Sequence, residues 1–280
     1  MIETVAIFGV GLIGGSFALA IRKAGFTGRI IGISSDETTR AALALGVIDE
    51  ALPAAEAAGP ADLLYLAQPI HRIIASLAEL DALVKPGALI TDAGSTKKAI
   101  IDRASLVISR AQFLGGHPMA GRERRGVEAA EADLFQGRPY VLTPQSPGEL
   151  ESAAAREFLG WIPKIGSFPV VLSPEEHDRT VAFTSHLPQL ASTALAAMLN
   201  GRPEPKTGVY GPALVDSTRL ALSPFEIWSD IFDTNRHPIF RALEAYIAEL
   251  QALRLALEKG GMQAHFDHAA ELAAQVRNGT

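Results

Sequence analysis

The sequence predicts an α/β domain with a doubly wound, mostly parallel sheet, followed by an all-α domain. A glycine-rich loop stands between an apolar strand and an Ala-rich helix at the start of the chain. Short apolar strands then alternate with helical segments as far as about residue 172, which is the pattern of layered α/β folds. From residue 173 only helical periods follow. We therefore predict two domains, residues 1–172 and residues 173–280.

The first strand and the loop after it predict a dinucleotide-binding site. The strand Thr4–Phe8 runs directly into a GxGxxG motif, and a helix follows the motif. In this motif the first glycine permits a tight turn, the second lets the backbone approach a pyrophosphate, and the third lets the helix pack on the strand. The domain is therefore expected to be of the Rossmann type and to bind NADP or NAD. The cofactor-binding residues predicted in the loop are Gly9, Gly11, Leu12, Ile13 and Gly14.

The end of the second strand bears on the choice between NAD and NADP. The strand Arg29–Ile33 ends at Ser34 and Ser35, where NAD-selective sites hold a carboxylate that accepts from the ribose 2′-hydroxyl. A carboxylate there would also repel a 2′-phosphate, and it is absent. No arginine follows directly, and Asp36 and Arg40 could shift the preference either way. We expect Ser34 and Ser35 to contact the cofactor, with dual use or a preference for NADP.

Three further polar segments follow predicted strands. They are Gln68-Pro69, Asp92–Ser95 and Gly116–Pro118. Ligands of a doubly wound sheet bind beyond the carboxyl ends of its strands, so these segments are expected to share one crevice with the glycine loop. We predict that Gln68, Pro69 and Gly94 bind the cofactor.

His117 is the candidate catalytic base. Two glycines precede it and a proline follows, so its backbone is constrained. An unperturbed histidine titrates near pH ~6.5, which suits it to accept a hydroxyl proton as a hydride leaves. Ser95 could hydrogen-bond the same hydroxyl or orient the imidazole. The alternative is a loop histidine with no chemical role.

The helical half of the chain is expected to form a dimer. Helices are predicted over 174–199 with a bend at Pro188, over 211–221, 224–234 and 238–258, and at the end of the chain. Helical domains with this many apolar faces commonly associate with a second copy. Three Ser-Pro-x-Glu segments predict helix starts with capping boxes, at Ser146, Ser173 and Ser223.

Composition narrows the class of protein. A chain of 280 residues with 48% hydrophobic content can bury more than one core. Its net charge of −6 argues against nucleic acid or an anionic membrane as a partner. There is no cysteine, and no apolar run reaches the ~18 residues of a membrane span. We expect a cytoplasmic enzyme with a small-molecule substrate and no metal site.

Several motifs in order along nearly the whole chain carry a family resemblance. They are the glycine loop, Asp92–Lys97, Gly116–Gly121 with Glu123 and Gly126, Asp133–Phe135, Arg138–Tyr140, His177-Asp178, Ser185–Pro188 and Thr218–Ala221. Together they resemble the prephenate/arogenate dehydrogenase family of tyrosine biosynthesis. The resemblance implies NAD(P)-dependent oxidative decarboxylation, which yields 4-hydroxyphenylpyruvate from prephenate or tyrosine from arogenate.

The resemblance also implies roles for individual residues. His117 accepts the hydroxyl proton with support from Ser95, and Arg219 holds a substrate carboxylate, for which a guanidinium is well suited. The other substrate-binding residues that it implies are His186, Gln189 and Glu123.

Two departures from the family pattern stand out. Gln189 replaces a histidine of many members, which leaves open whether the substrate side chain is pyruvyl or alanyl. Arg122 replaces a small hydroxyl residue, and with Arg124 and Arg125 it forms a basic cluster. This cluster could attract a dianion, but a solvated surface is the expected reading.

Two alternatives remain open. A β-hydroxyacid-type dehydrogenase would use a lysine on the first long C-terminal helix, and no lysine lies between Pro174 and Leu199. A non-enzymatic NAD(P)-binding sensor would need none of His117, Ser95 and Arg219.

Overall fold

The computed structural model describes residues 1–121 and 124–278, which form two compact units. The first unit comprises Met1–Val181 and Ser223–Asn235. The second comprises Ala182–Leu222 and the chain from Arg236 onward. This grouping differs from a contiguous division at residue 172, because the segment up to Val181 and the returning segment Ser223–Asn235 both pack with the first unit.

The first unit is built on one eight-stranded sheet with the order β3-β2-β1-β4-β5-β6-β7-β8. All neighbouring strands are parallel except β6 and β7, which are antiparallel. The predicted fold class is confirmed. The strands are β1 Thr4–Phe8, β2 Arg29–Ile33, β3 Glu50–Ala51, β4 Leu63–Leu66, β5 Leu89–Asp92, β6 Gln112–Pro118, β7 Pro139–Thr143 and β8 Phe168–Val171.

The chain's α-helices cover the sheet in the first unit and make up most of the second. Those before the second unit are α1 Leu12–Lys23, α2 Asp36–Ala44, α3 Ala54–Ala58, α4 Ile70–Leu83, α5 Lys98–Val107, α6 Ala153–Lys164 and α7 Pro174–Val181. Those that follow are α8 Leu187–Asn200, α9 Pro212–Thr218, α10 Phe225–Thr234, α11 Arg236–Lys259 and α12 Met262–Asn278. Of these later helices, α10 belongs to the first unit.

The strand that carries His117 is longer than the sequence predicts. The apolar segment predicts a strand over Gln112–Leu114, but β6 continues to Pro118 and so includes His117. Its first half pairs with β5, and Gly115–Pro118 pairs with Tyr140–Thr143 of β7. His117 therefore lies within a paired strand rather than on a loop after one, which restricts its backbone further.

Aromatic rings fill the core between the sheet and α1. Phe17 of α1 stacks on Tyr65 of β4 with ring centroids 3.9 Å apart. The Tyr140 hydroxyl of β7 donates to the Tyr65 hydroxyl at 3.3 Å. Burial raises the pKa of both phenols, so this pair stays neutral and acts as part of the core.

The helical run that was predicted over 174–199 is interrupted. A π-helical turn, Ala182–His186, separates α7 from α8 just before Pro188. Proline has no amide hydrogen, and its ring clashes with the carbonyl four residues earlier, here that of Thr184. A wider turn at this point relieves that clash.

One of the three predicted capping boxes forms. Glu176 N donates to Ser173 Oγ at 3.2 Å, and Ser173 N donates to a Glu176 carboxylate oxygen at 3.0 Å. At Ser223 the hydroxyl instead accepts from Trp228 Nε1 at 2.9 Å. At Ser146 the chain makes a 3-10 turn rather than an α-helix.

Helix α11 carries a stripe of exposed apolar side chains. Phe240, Ile247, Leu250 and Leu257 recur at helical spacing and are each more than a third exposed. Over the part of the chain that the structure describes, no helix combines the length and the hydrophobicity needed to cross a membrane.

Candidate active site

A cavity of about 440 Å³ lies at the carboxyl ends of β1, β4 and β5. Its size is that of a site for a cofactor or substrate. The predicted residues that line it are Gly11, Leu12, Ile13, Gln68, Pro69, Gly94 and Ser95. The glycine loop, the segment after β4 and the segment after β5 therefore meet as expected.

The glycines of the loop have different roles. Gly9 has a φ of +93°, and a Cβ there would lie 2.6 Å from the Ala67 carbonyl oxygen. At Gly14 a Cβ would collide with the Gly9 carbonyl and the Ile7 side chain. Gly11 differs, because a Cβ there would meet no atom within 4 Å. Gly9 and Gly14 shape the loop, and Gly11 leaves open space at the cavity, as a bound pyrophosphate requires.

Ser34 and Ser35 follow β2 and lie outside the lining of this cavity. Ser35 is the N-cap of α2, where its Oγ accepts from Thr38 N at 3.3 Å. A capping role therefore accounts for Ser35 in this structure.

Helix α10 and two arginines complete the cavity; the sequence marks the arginines as a basic cluster, but it does not indicate that α10 lies here. Arg124 and Arg125 are exposed, as expected, but they line the cavity together with Glu226 and Asp230 of α10. Arg125 and Glu226 form an ion pair at 3.8 Å. An Asp230 carboxylate oxygen accepts from His71 N at 3.0 Å, which joins α10 to the first turn of α4. The amphipathic pattern of α10 does not reveal which unit it joins.

A buried ion pair holds the strand before His117. Lys97 Nζ is hydrogen-bonded to an Asp92 carboxylate oxygen and donates to the Gly116 carbonyl at 2.7 Å. The second Asp92 oxygen accepts from Gly116 N at 3.2 Å. Both side chains are fully buried. Burial lowers the pKa of Lys97, while the Asp92 carboxylate opposes that shift.

The two glycines before His117 are dictated by packing. A Cβ on Gly116 would lie 2.6 Å from the Asp92 carbonyl oxygen and 3.1 Å from the Tyr140 ring. On Gly115 it would collide with the Thr143 hydroxyl. Any side chain here would push β6 away from its neighbours and displace His117.

Behind His117 lies a second histidine with a carboxylate. His117 Nδ1 is 2.8 Å from His177 Nε2, and His177 Nδ1 is 2.8 Å from Asp178 Oδ1. His117 is half-buried, whereas His177 and Asp178 are buried. The sequence presents His177-Asp178 as a motif but gives no spacing that connects it to His117.

Three of the predicted substrate-binding residues belong to the second unit. Gln189 is buried, and its Nε2 donates to the Leu220 carbonyl at 2.9 Å and to Thr193 Oγ1 at 3.2 Å. The bond to Leu220 ties α8 to the 3-10 turn that begins at Arg219, and the bond to Thr193 lies within α8. Arg219 is exposed and His186 is buried. Glu123, the fourth predicted substrate-binding residue, lies outside the described residues.

Comparison with known proteins assigns the chain to a family. Residues 17–160 match the nucleotide-binding domain of prephenate dehydrogenase, and residues 173–271 match its dimerization domain. The chain belongs to the prephenate dehydrogenase family. Membership confirms the predicted dehydrogenase class and the NAD(P) cofactor.

Individual members of the family are similar over most of their length. A prephenate dehydrogenase of Bacillus subtilis is 37% identical over 92% of this chain and 71% of its own. The prephenate dehydrogenase of Aquifex aeolicus, solved with hydroxyphenyl propionate and NAD+, is 30% identical with a TM-score of 0.87 over 99% and 98% of the two chains. An arogenate dehydrogenase of Synechocystis is 28% identical with a TM-score of 0.77 over 98% of each chain.

Proposed function

We propose that this protein catalyses the NAD(P)-dependent oxidative decarboxylation of prephenate, arogenate or both. The observation that carries the proposal is the anchoring of His117. Asp92 and Lys97 tie the backbone of Gly116 to the segment whose Gly94 and Ser95 line the cofactor cavity. His117, the candidate base, is thus held on β6. The neighbouring strand β5 leads into the loop that lines the cavity.

The cofactor is bound by the glycine loop, with Gln68, Pro69 and Gly94 along the cavity and Ser34 and Ser35 toward the adenosine ribose. When bound, the oxidised nicotinamide accepts the hydride. We add Arg124 and Arg125 as groups that attract the pyrophosphate, because they are the basic side chains in the lining of the described cavity.

His117 handles the proton. The substrate's ring hydroxyl gives its proton to His117 Nε2, since Nδ1 is engaged by His177 at 2.8 Å. As the carbon that bears the hydroxyl releases its hydride, the carbon–carbon bond to the ring carboxylate breaks and carbon dioxide leaves. The electron pair of that bond completes the aromatic ring. The phenolate oxygen that results takes the proton back from His117. Ser95 supports the same hydroxyl.

The substrate carboxylate is bound by Arg219, and His186 and Glu123 are further substrate-binding residues. Gln189 acts by positioning other residues, because its amide group donates to the Leu220 carbonyl and to Thr193 Oγ1. Its bond to Leu220 holds the turn that begins at Arg219. We also propose that the protein is a cytoplasmic homodimer that assembles through its helical region, in keeping with the family model over residues 173–271.

The variant His117→Asn tests the role of the base. Asparagine hydrogen-bonds but does not accept a proton near neutral pH, so turnover should fall by about 10³-fold. The dissociation constants of NAD and NADP should stay within about 3-fold of wild type, measured by fluorescence or calorimetry. The exposed His268, replaced in the same way, provides the control. Wild-type turnover in His117→Asn would refute the assignment.

A further inference from the structure

The proposed reaction assigns no role to His177 and Asp178, although both are buried and connected to His117. His177 is fully buried and Asp178 is 3% exposed. A buried histidine next to a buried carboxylate is costly unless every polar atom finds a partner. The arrangement of those partners determines where the protons lie.

Asp178 is held as an acceptor. Its Oδ1 accepts from Lys97 N at 2.7 Å, and its Oδ2 accepts from Lys98 N at 3.0 Å. Backbone amides can only donate, so both carboxylate oxygens must accept. These amides belong to the start of α5, where the helix dipole favours a negative charge. The remaining partner of Oδ1, His177 Nδ1, must therefore be an N–H donor.

His177 is neutral near pH 7 in this environment. Burial lowers its pKa, the hydrogen bond that His177 donates to Asp178 opposes that shift, and the charge of Lys97 lowers the pKa further. A neutral imidazole carries one hydrogen. In His177 this hydrogen is on Nδ1, where it is donated to Asp178. The lone pair of His177 therefore lies on Nε2, which is the atom that faces His117 Nδ1 at 2.8 Å.

We propose that His177 and Asp178 are positioning residues that keep His117 in its Nδ1–H tautomer, so that Nε2 presents the basic lone pair. His117 Nδ1 donates to His177 Nε2, and His177 Nδ1 donates to Asp178. Without this acceptor, the neutral imidazole of His117 would distribute its hydrogen between both nitrogens, and a part of the protein would lack a base at Nε2. The proposal rests on the proposed function of His117 as the base.

The most direct test is nitrogen-15 NMR of the wild-type protein labelled at its seven histidines. Assignment uses the signals that disappear in His117→Asn. At a pH where His117 is neutral, its Nδ1 should give a protonated, pyrrole-type shift and its Nε2 an unprotonated, pyridine-type shift. A hydrogen on Nε2 of wild-type His117 would overturn the proposal. This readout needs neither substrate nor turnover.

Substitution of His177 tests the catalytic consequence. His177→Leu removes the acceptor, so kcat should fall by about 100-fold while the KM values for substrate and NAD(P) stay within about 3-fold. His177→Gln supplies an amide oxygen near the position of Nε2, and kcat should recover to within about 5-fold of wild type. His268→Leu, at an exposed histidine, is the matched control and should keep wild-type kcat.

The outcomes separate this proposal from the function on which it rests. Equal kcat in wild type and His177→Leu would refute the positioning role and leave the dehydrogenase intact. If wild-type His117 shows the predicted nitrogen-15 shifts but the protein has no dehydrogenase turnover, the Nδ1–H tautomer would be supported and the proposed function refuted. If His177→Leu does not fold, the nitrogen-15 shifts of the wild-type protein and the kcat of His177→Gln still test the positioning role.

Discussion

Gly116 and Gly11 are both glycines of the candidate site, but for different reasons. At Gly116 a methyl would lie 2.6 Å from the Asp92 carbonyl oxygen, within the sheet. At Gly11 a methyl would contact nothing within 4 Å, and Gly11 lines the cavity. The first glycine is needed for folding, whereas the second is needed only if a ligand approaches the loop. A substitution at Gly11 can therefore change cofactor affinity without changing the stability of the fold.

Gly11→Ala should weaken cofactor binding without destabilising the protein. The added methyl occupies the space reserved for the pyrophosphate, so the dissociation constant of NAD(P) should rise by about 10-fold, equal to about 1.4 kcal/mol. The melting temperature should change little. Titration of the nucleotide and a thermal scan measure both. Gly160→Ala, at an exposed helical glycine with open space, is the control. Unchanged affinity in Gly11→Ala would place the pyrophosphate elsewhere.

At the scale of elements, buried carboxylates connect helices to the strand that bears His117. Asp178 of α7 caps the start of α5, and Asp92 of β5 holds Gly116. Asp81 of α4 accepts from Ser109 N, Arg110 N and Ala111 N at 2.9–3.1 Å, just before β6. Asp81 is not one of the residues that line the cavity, so its substitution tests the framework separately from the chemistry.

Asp81→Asn should destabilise the protein near neutral pH. Burial raises the pKa of Asp81, but the hydrogen bonds from residues 109–111 outweigh it, and the net pKa is lowered. A lowered carboxyl pKa stabilises the fold above the unfolded value of about 3.9, and this contribution disappears as the pH falls toward the folded value. We expect a loss of about 1–3 kcal/mol at pH ~7 that narrows toward pH ~3.5, measured by urea unfolding.

The control for Asp81 is Asp102→Asn. Asp102 pairs with Lys98 one helical turn earlier on an exposed face of α5, and such pairs contribute less than about 0.5 kcal/mol. If Asp81→Asn lowers the free energy of unfolding by no more than Asp102→Asn does, the hydrogen bonds to Asp81 are replaceable by water.

At the scale of the whole molecule, the second unit carries large apolar side chains that are exposed on α11. The stripe of α11, formed by Phe240, Ile247, Leu250 and Leu257, lies within residues 173–271, which match a dimerization domain. Exposed apolar stripes of this kind mark association surfaces. A second copy would cover the stripe in the proposed homodimer.

Ile247→Glu combined with Leu250→Glu should shift the dimer toward monomer. Burying two carboxylates in an apolar interface is costly, so association should weaken by at least about 100-fold. Sedimentation at micromolar concentration measures it. Leu106→Glu changes an equally apolar, exposed residue of α5 in the first unit and should remain dimeric. A doubly substituted protein that sediments as wild type would exclude the α11 stripe as the interface.

Local patterns predicted much of this structure. The glycine loop, the strands Thr4–Phe8 and Arg29–Ile33 and the helical second half follow from apolar periodicity and turn residues, whereas the two-residue strand β3 was not predicted. The convergence of Gln68, Gly94 and Ser95 follows from the rule for carboxyl ends of parallel strands. These features depend on residues close together in sequence.

Features that depend on distant residues were not predictable. The pairing of Gly115–Pro118 with β7 places His117 inside a strand, and no local pattern marks it. His117 and His177 are 60 residues apart, and their hydrogen bond requires α7 to pack on the sheet. Likewise α10 joins the cofactor cavity although its sequence shows only an amphipathic helix.

The central claim is tested most directly by the absorbance of reduced nicotinamide when the purified protein meets prephenate or arogenate with NAD or NADP. Four reactions cover every combination. We predict reduction in at least one of them, with release of carbon dioxide, and the active combinations identify the substrate side chain and the cofactor. No reduction in all four reactions, with nucleotide binding intact, would contradict the dehydrogenase and favour an NAD(P)-binding sensor.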